Sequence, residues 1–360
     1  MLGISQLTLI QFRNYIQKQL TFSHRIVGII GPNGTGKTNI LDALYYLSFT
    51  KSYFNRPDAQ NVHHDCQGMR VEGHYDLHGD RFPITCIVRE NLKKELYYDG
   101  ALYSKLSQHI GRIPCVMIAP DDVQIITGSS EERRRLMDSL LSQLDPLYLK
   151  QLIQYNKVLL QRNSLLKQAA EQGHLDVLVL EVLDEQLAHI GTEIYKYRKD
   201  LLIALLPEIL NLYEYLAGQK DAIDIVYQSA LDQQSFTEIL HQNLQKDKVL
   251  QRTSSGIHKD DLIITIQGQS FKQEASQGQR KSLLFAIRLA EWIFIRKNKG
   301  IPPILLMDDI FEKLDATRMS QLLQWVSKHT DGQVFITDTH QERVTTLLTE
   351  HLKEFQIIAL

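Results

Sequence analysis

The stretch GPNGTGKT, residues 31–38, constrains this 360-residue chain more than any other. It fits the pattern G-x-x-x-x-G-K-[ST], follows the apolar run RIVGII and opens onto a helical pattern of Ile40, Leu41, Leu44 and Leu47. Glycines at these places let the backbone turn until its N–H groups point inward at phosphate oxygens, with a helix N-terminus behind them. The spacing therefore predicts a nucleotide site in which Gly31, Pro32, Asn33, Gly34, Thr35 and Gly36 form the cradle. Lys37 would reach the β/γ-phosphates of ATP, and the Thr38 hydroxyl would ligate Mg²⁺.

A phosphate loop needs an acidic partner on another strand. ILLMDD supplies one: the apolar run Ile304, Leu305, Leu306 and Met307 reads as a strand buried between helices, and it ends at Asp308 and Asp309. Asp308 is expected at Mg²⁺, and Asp309 near the γ-phosphate, where a water can be activated. Paired acids after a strand also serve as helix caps; Lys37 in the same chain favours the catalytic reading. Lys37, Asp308 and Asp309 are thus the candidate catalytic residues, and Thr38 and Asp308 the candidate metal ligands.

The remaining pattern divides the chain into three. ISQLTLIQF, QLTF and RIVGII read as strands; MRVEGHYDL, FPITCIVRE and ELYYDG alternate with period two across turn residues, a β-meander. PCVMIAP is a further short buried strand. From Glu131 to about Leu216 the period becomes helical, with one run over 146–167 and another over 175–206 joined across EQGH. Leu183, Leu187, Ile190, Ile194 and Tyr197 keep helical spacing, which suggests an antiparallel αα-hairpin, or an ordinary helical subdomain without special chemistry. After residue 250 strands and helices alternate again. The expected organisation is α/β: an N-terminal ATPase lobe over 1–128, a helical arm over 129–250 and a C-terminal lobe over 251–360.

Three cysteines, Cys66, Cys86 and Cys115, without metal-type spacing fit a reduced compartment. The N-terminal residues lack a basic region and a small-residue cleavage site, and the most apolar stretch carries Pro207, Glu208, Asn211 and Glu214. These observations predict a cytoplasmic protein without a membrane span. The net charge of −2 gives no global attraction to nucleic acid, so any DNA contact must gather basic residues on one face.

A third motif, SQGQ at 276–279, opens a helix whose Leu283, Leu284, Ile287 and Ala290 share a buried face. A helix entered through Ser and Gly offers free N–H groups and a positive dipole end to an anion. Together with the phosphate loop and with DD followed by EKLD, it resembles the ATP-binding-cassette heads. There the signature Ser and Gly cap the γ-phosphate of a nucleotide held by the partner subunit.

The resemblance extends over nearly the full chain. LIQFRNY, GPNGTGKTNILDALYYLS, TKSYFNR, APDDVQIITGSSEERRRLMD, YNKVLLQRNSLLK, GIHKDDL, SQGQRK and LLMDDIFEKLD stand in the order seen in the bacterial RecF proteins, DNA-repair ATPases related to the SMC heads. This resemblance implies an ABC-type P-loop ATPase head of two lobes, with a mixed sheet and an antiparallel β-meander, interrupted by a short helical arm. It puts Arg13 and Asn14 near the nucleotide, makes Ser276, Gly278 and Gln279 the signature, and assigns Asp315 to the loop crossing a dimer interface. It also implies an ATP-dependent homodimer on single-stranded, duplex or junction DNA, acting with RecR and RecO to load RecA at gaps, in DNA repair, replication and the SOS response.

The sequence departs from the cassette pattern in three places. Gln277 stands where transporters commonly have glycine, Asp309 is one methylene shorter than the usual Glu, and Asp338 occupies the switch position, with His340 two residues beyond. The switch is left open between Asp338 and His340, and the APDD stretch occupies roughly the place of the glutamine loop. Lys51, Arg56, Arg133, Arg134, Arg135, Lys157, Arg162 and Lys167 could track DNA phosphates; EERRRLMD reads equally as a solvated face balanced by its own glutamates. Two other functions compete: the ATPase subunit of a membrane transporter, against which the helical insertion argues, and a chromosome-organising head, against which the lack of a long coiled coil argues.

Overall fold

The computed structural model describes residues 2–310, 315–351 and 354–360. The chain forms two compact units: one of residues 1–122, 211–219 and 277–360, the other of residues 123–210 and 220–276.

The first unit contains two sheets. Leu2–Phe12 and Tyr15–Thr21 pair antiparallel, and Leu2–Phe12 also pairs with Met69–Leu77, which continues through Asp80–Val88, Lys94–Tyr98 and Ala101–Leu102. Alternation explains this sheet: Leu2, Ile4, Leu7 and Leu9 face the core, as do Val71, Tyr75, Ile84 and Cys86. The other sheet is wholly parallel, in the order Gln356–Ala359, Ile26–Ile30, Val334–Asp338, Ile304–Met307, Cys115–Ile118. Ile26–Ile30, Ile304–Met307 and Cys115–Ile118 are apolar runs buried throughout, as strands covered on both faces require, whereas the edge strand Gln356–Ala359 is half-buried. Helix Lys37–Phe49 packs Ile40, Leu41, Leu44 and Leu47 into a core shared with both sheets.

The strand order matters for the site. Val334–Asp338 lies between the strand that leads into the phosphate loop and the strand that ends at Asp308. Thr337, one residue before the end of this middle strand, therefore falls between the two chemical elements.

The second unit carries the helical pair. Pro146–Gln172 starts at a proline in its first turn with the Asp145 carboxylate accepting from Leu147 N–H at 2.7 Å, and Gly173 in the left-handed region closes it. Val177–Ala217, which belongs to this unit as far as residue 210, runs eleven residues past the expected end at 206 and carries Pro207 inside it. Buried Leu205, Ile209, Leu212 and Leu216 hold the helix through the lost hydrogen bond. A three-stranded antiparallel sheet, Gln269–Ser270, Asp261–Ile266 and Ile223–Gln228, completes the unit. Residues 251–276, grouped with the C-terminal lobe by sequence, cluster here because Asp261–Ile266 pairs along its length with Ile223–Gln228.

Candidate functional site

The phosphate loop follows Ile26–Ile30 and leads into helix Lys37–Phe49. Gly36 has φ of 101°, and a Cβ there would stand 2.5 Å from the Tyr15 hydroxyl and 2.6 Å from the Asn14 amide nitrogen. Only glycine permits that approach. Asn14 Nδ2 and the Tyr15 hydroxyl both donate to the Thr35 carbonyl, at 3.2 and 3.0 Å, so the turn between the first two strands holds the loop from outside. Lys37 is buried, and its ammonium donates to the carbonyls of Gly31 at 2.6 Å and Pro32 at 2.9 Å. The cation thus lies folded into the loop that it closes.

Across the sheet, Thr38 Oγ1 donates to the Asp308 carboxylate at 2.9–3.0 Å. Thr337 Oγ1 donates to Asp308 Oδ1 at 2.7 Å and accepts from the Asp309 N–H at 2.9 Å. Burial pushes the Asp308 carboxyl above its ordinary range, while the Thr337 and Thr38 hydroxyls pull it back. Asp309 adopts φ of 47°, an uncommon conformation for a residue with a Cβ and one that recurs at active sites. Thr337 thus joins the two acids; in sequence it is only a lone hydroxyl in VFIT, and the strand order shows what it meets.

Helix Gln277–Lys299 begins directly after the exposed Ser276. Gly278 lies against the Arg318 guanidinium, which a Cβ would approach to 2.9 Å. Arg318 in turn donates to Ser282 Oγ at 3.0 Å and pairs with Asp315, whose carboxylate also caps helix Ala316–His329. The signature helix and the Asp315 loop are therefore joined through one arginine. Further along, buried Arg288 pairs with Asp122 at 3.0 Å and Glu291 at 2.9 Å, which ties the APDD stretch to the same helix. Phe311, Glu312, Lys313 and Leu314 of the EKLD region lie outside the described residues. Of the two switch candidates, Asp338 is buried at its strand end and accepts from His340 N–H at 2.7 Å, whereas the His340 side chain is exposed.

Arg13, expected beside the nucleotide, is an internal fastener in this structure. It is buried and donates to Asn61 at 3.1 Å, Asn39 at 2.7 Å, Ser52 at 3.0 Å and the buried Asp42 carboxylate. Its charge is balanced within the fold by Asp42. Arg13→Ala should lower stability by about 3–5 kcal/mol, the range for stripping one partner from a buried ion pair. Burial already raises the Asp42 carboxyl and Arg13 lowers it. In the variant, Asp42 therefore binds its proton more tightly in the folded than in the unfolded state. Its contribution is present in acid and lost as pH rises, so the deficit should be smaller at acidic than at neutral pH. Urea unfolding at the two pH values checks this; equal deficits would show that Asp42 does not carry the effect.

Two of the basic residues that sequence offers as a collection for DNA phosphates are also buried. Arg162 pairs with Asp184 at 2.5 Å and Asp247 at 2.7 Å, and Arg133 forms a two-pronged bond with Asp261 at 2.6 and 3.0 Å. Both are structural. Arg135 pairs with Glu131 and Glu132 on its own helix, the self-balanced face anticipated for EERRRLMD. Arg134 is half-buried, and Lys51, Arg56, Lys157 and Lys167 are exposed. No helix of the described residues is long and apolar enough to cross a membrane.

A family model described as the RecF/RecN/SMC N terminal domain matches residues 3–356. The chain is 40% identical over 357 residues to the DNA replication and repair protein RecF of Flavobacterium johnsoniae, covering 99% of each. It is 41% identical to that of Parabacteroides distasonis, covering 96% of this chain and 93% of the relative. Among solved structures, it matches one described as the recombination mediator protein RecF-ATPrS in the RecFOR pathway. That match has a TM-score of 0.88 and 26% identity, over 100% of this chain and 96% of the other. An SMC head bound to the winged-helix domain of ScpA shares the fold, with a TM-score of 0.57 at 14% identity, over 99% of this chain and 94% of the other.

Proposed function

Because the chain belongs to the RecF family of DNA replication and repair proteins, we propose that it is an ATP-hydrolysing, DNA-binding recombination mediator. ATP closes two copies into a clamp on DNA at gaps or single-strand/duplex junctions, and slow, DNA-stimulated hydrolysis releases it. With RecO and RecR as partners, the clamp helps load RecA and so supports repair, replication and the SOS response.

The observation that carries the reading is the Lys37, Thr38, Thr337 and Asp308 cluster at the ends of three neighbouring parallel strands. Lys37 exchanges its two carbonyl contacts for β/γ-phosphate oxygens, and the loop N–H groups over residues 31–38 cradle the rest. Thr38 and Asp308 present a hydroxyl and a carboxylate within 3.0 Å, a hard-oxygen set that suits Mg²⁺. When bound, the ion would neutralise charge on the phosphate oxygens. Asp309 orients and deprotonates the attacking water, with Thr337 fixing its backbone. Its short side chain favours slow turnover. Ser276, Gly278 and Gln279 cap the γ-phosphate of the other copy's ATP, held in place by Arg318. The relatives give no support to a transporter subunit.

Affinity for single-stranded, duplex and gapped DNA, measured with and without ATP, tests the function. Tighter ATP-dependent binding to the gapped substrate is expected, and DNA affinity indifferent to ATP would refute the clamp. Ser276→Arg tests the trans cap: a bulky side chain stands where two copies meet, while Lys37, Thr38 and Asp308 are untouched. Nucleotide titration should show parent-like affinity, and light scattering should show no dimer on ATP. An undiminished dimer would remove SQGQ from the interface.

A further inference from the structure

Residues 244–261, which include the GIHKDD motif, hold their polar groups in a dense set of hydrogen bonds. Three acids lie in this segment, and all are engaged inward. Asp247 is buried against Arg162, Asp260 is buried and accepts from the Tyr227 hydroxyl, and Asp261 holds Arg133. The outward charge is therefore of one sign: Lys246, Arg252 and Lys259 are exposed and Lys248 is half-buried.

The loop that presents Arg252 and Lys259 is held at nearly every residue between them. The Thr253 N–H and hydroxyl donate to Asn163 at 2.7 and 2.8 Å, and those of Ser254 donate to Asp247 at 2.8 and 2.6 Å. The Ile257 carbonyl accepts from Arg198 at 2.8 Å, and the Asp260 carbonyl accepts from Arg134 at 2.5 Å. His258 Nε2 contacts the Thr253 carbonyl at 3.1 Å, so that nitrogen carries the proton and Nδ1 accepts from the Tyr155 hydroxyl at 2.8 Å. Burial lowers the His258 pKa to about 4, so the ring is neutral and acts as a brace rather than a charge. Buried arginine–aspartate pairs and a neutral histidine thus support a short loop with two cations at its ends.

We infer that Arg252 and Lys259, with Lys246 on the preceding helix, form a contact for the phosphate backbone of DNA. The inference rests on the DNA-binding reading and gives it a location. Cations on a pre-ordered loop bind phosphate with little further loss of conformational entropy. Contacts of this kind add affinity without sequence preference, and each phosphate neutralised contributes about −0.9 to the slope of log K against log salt on duplex DNA.

The test is a salt titration of duplex-DNA affinity, by fluorescence anisotropy, on the full chain in the presence of ATP. Arg252→Gln combined with Lys259→Gln should flatten the slope by about 1.8, for two contacts, and weaken binding on the order of tenfold or more. ATP affinity should stay at the parent value, and the charge-keeping pair Arg252→Lys with Lys259→Arg should restore the slope. Unchanged slope and affinity in the glutamine variant, with the parent binding DNA, would overturn the inference alone. Loss of ATP affinity along with DNA affinity would also overturn it, because the loop would then be a structural support. A parent with no salt-dependent affinity would bring down the DNA-binding reading as well.

Discussion

Lys37→Ala is expected to abolish stable ATP binding. The ammonium is buried and lies within hydrogen-bonding distance of the Gly31 and Pro32 carbonyls. Without it, the β/γ-phosphates would face those carbonyl oxygens and the Asp308 and Asp309 carboxylates with no side-chain cation inside the loop. Removing one partner of a buried charge pair costs about 3–5 kcal/mol, which corresponds to roughly 10²–10⁴-fold in affinity. Isothermal titration with ATP checks the loss, and an unchanged unfolding midpoint shows that the fold survives. Near-parent affinity in a folded variant would remove the phosphate-loop assignment.

Asp309→Asn should leave ATP bound and slow its hydrolysis on the order of 10²–10⁴-fold, the range for losing a general base. Asparagine preserves size and tolerates the left-handed conformation that Asp309 adopts at φ of 47°, so the backbone bond to Thr337 should persist. The amide cannot take the proton from water. Single-turnover hydrolysis measures the effect directly, free of any contribution from product release. Hydrolysis at the parent rate would make Asp309 a structural residue and require another group to activate the water.

Local motifs were readable from sequence because their chemistry depends on neighbours along the chain. The phosphate loop, the ILLMDD strand end and the helix start at Pro146 all declare themselves within a few residues, although that helix runs to Gln172 rather than to the expected 167. Arg13, Arg133 and Arg162 did not, since an arginine's surroundings are set by partners far away: Asp42, Asp261 and Asp184 with Asp247. A guanidinium that looks like a phosphate ligand in sequence can instead be a buried fastener, and nothing local separates the two. Thr337 illustrates the same point from the other side. Its hydroxyl lies near the end of a strand of the expected kind, but its contact with Asp308 depends on which strand lies in the middle of the sheet. The strand Ile223–Gln228 was missed for another reason. Its alternation, with Ile223, Ile225 and Tyr227 inward, lasts only six residues beside a long helical pattern, and its partner is Asp261–Ile266, beyond two short helices.

The account stands most directly on whether ATP joins two copies of this chain. Light scattering of the Asp309→Asn variant, in which bound ATP should persist unhydrolysed, measures this without interference from turnover. The predicted result is the mass of one chain without nucleotide and twice that mass with ATP. A mass that stays at one chain, with ATP shown to be bound, would contradict the clamp.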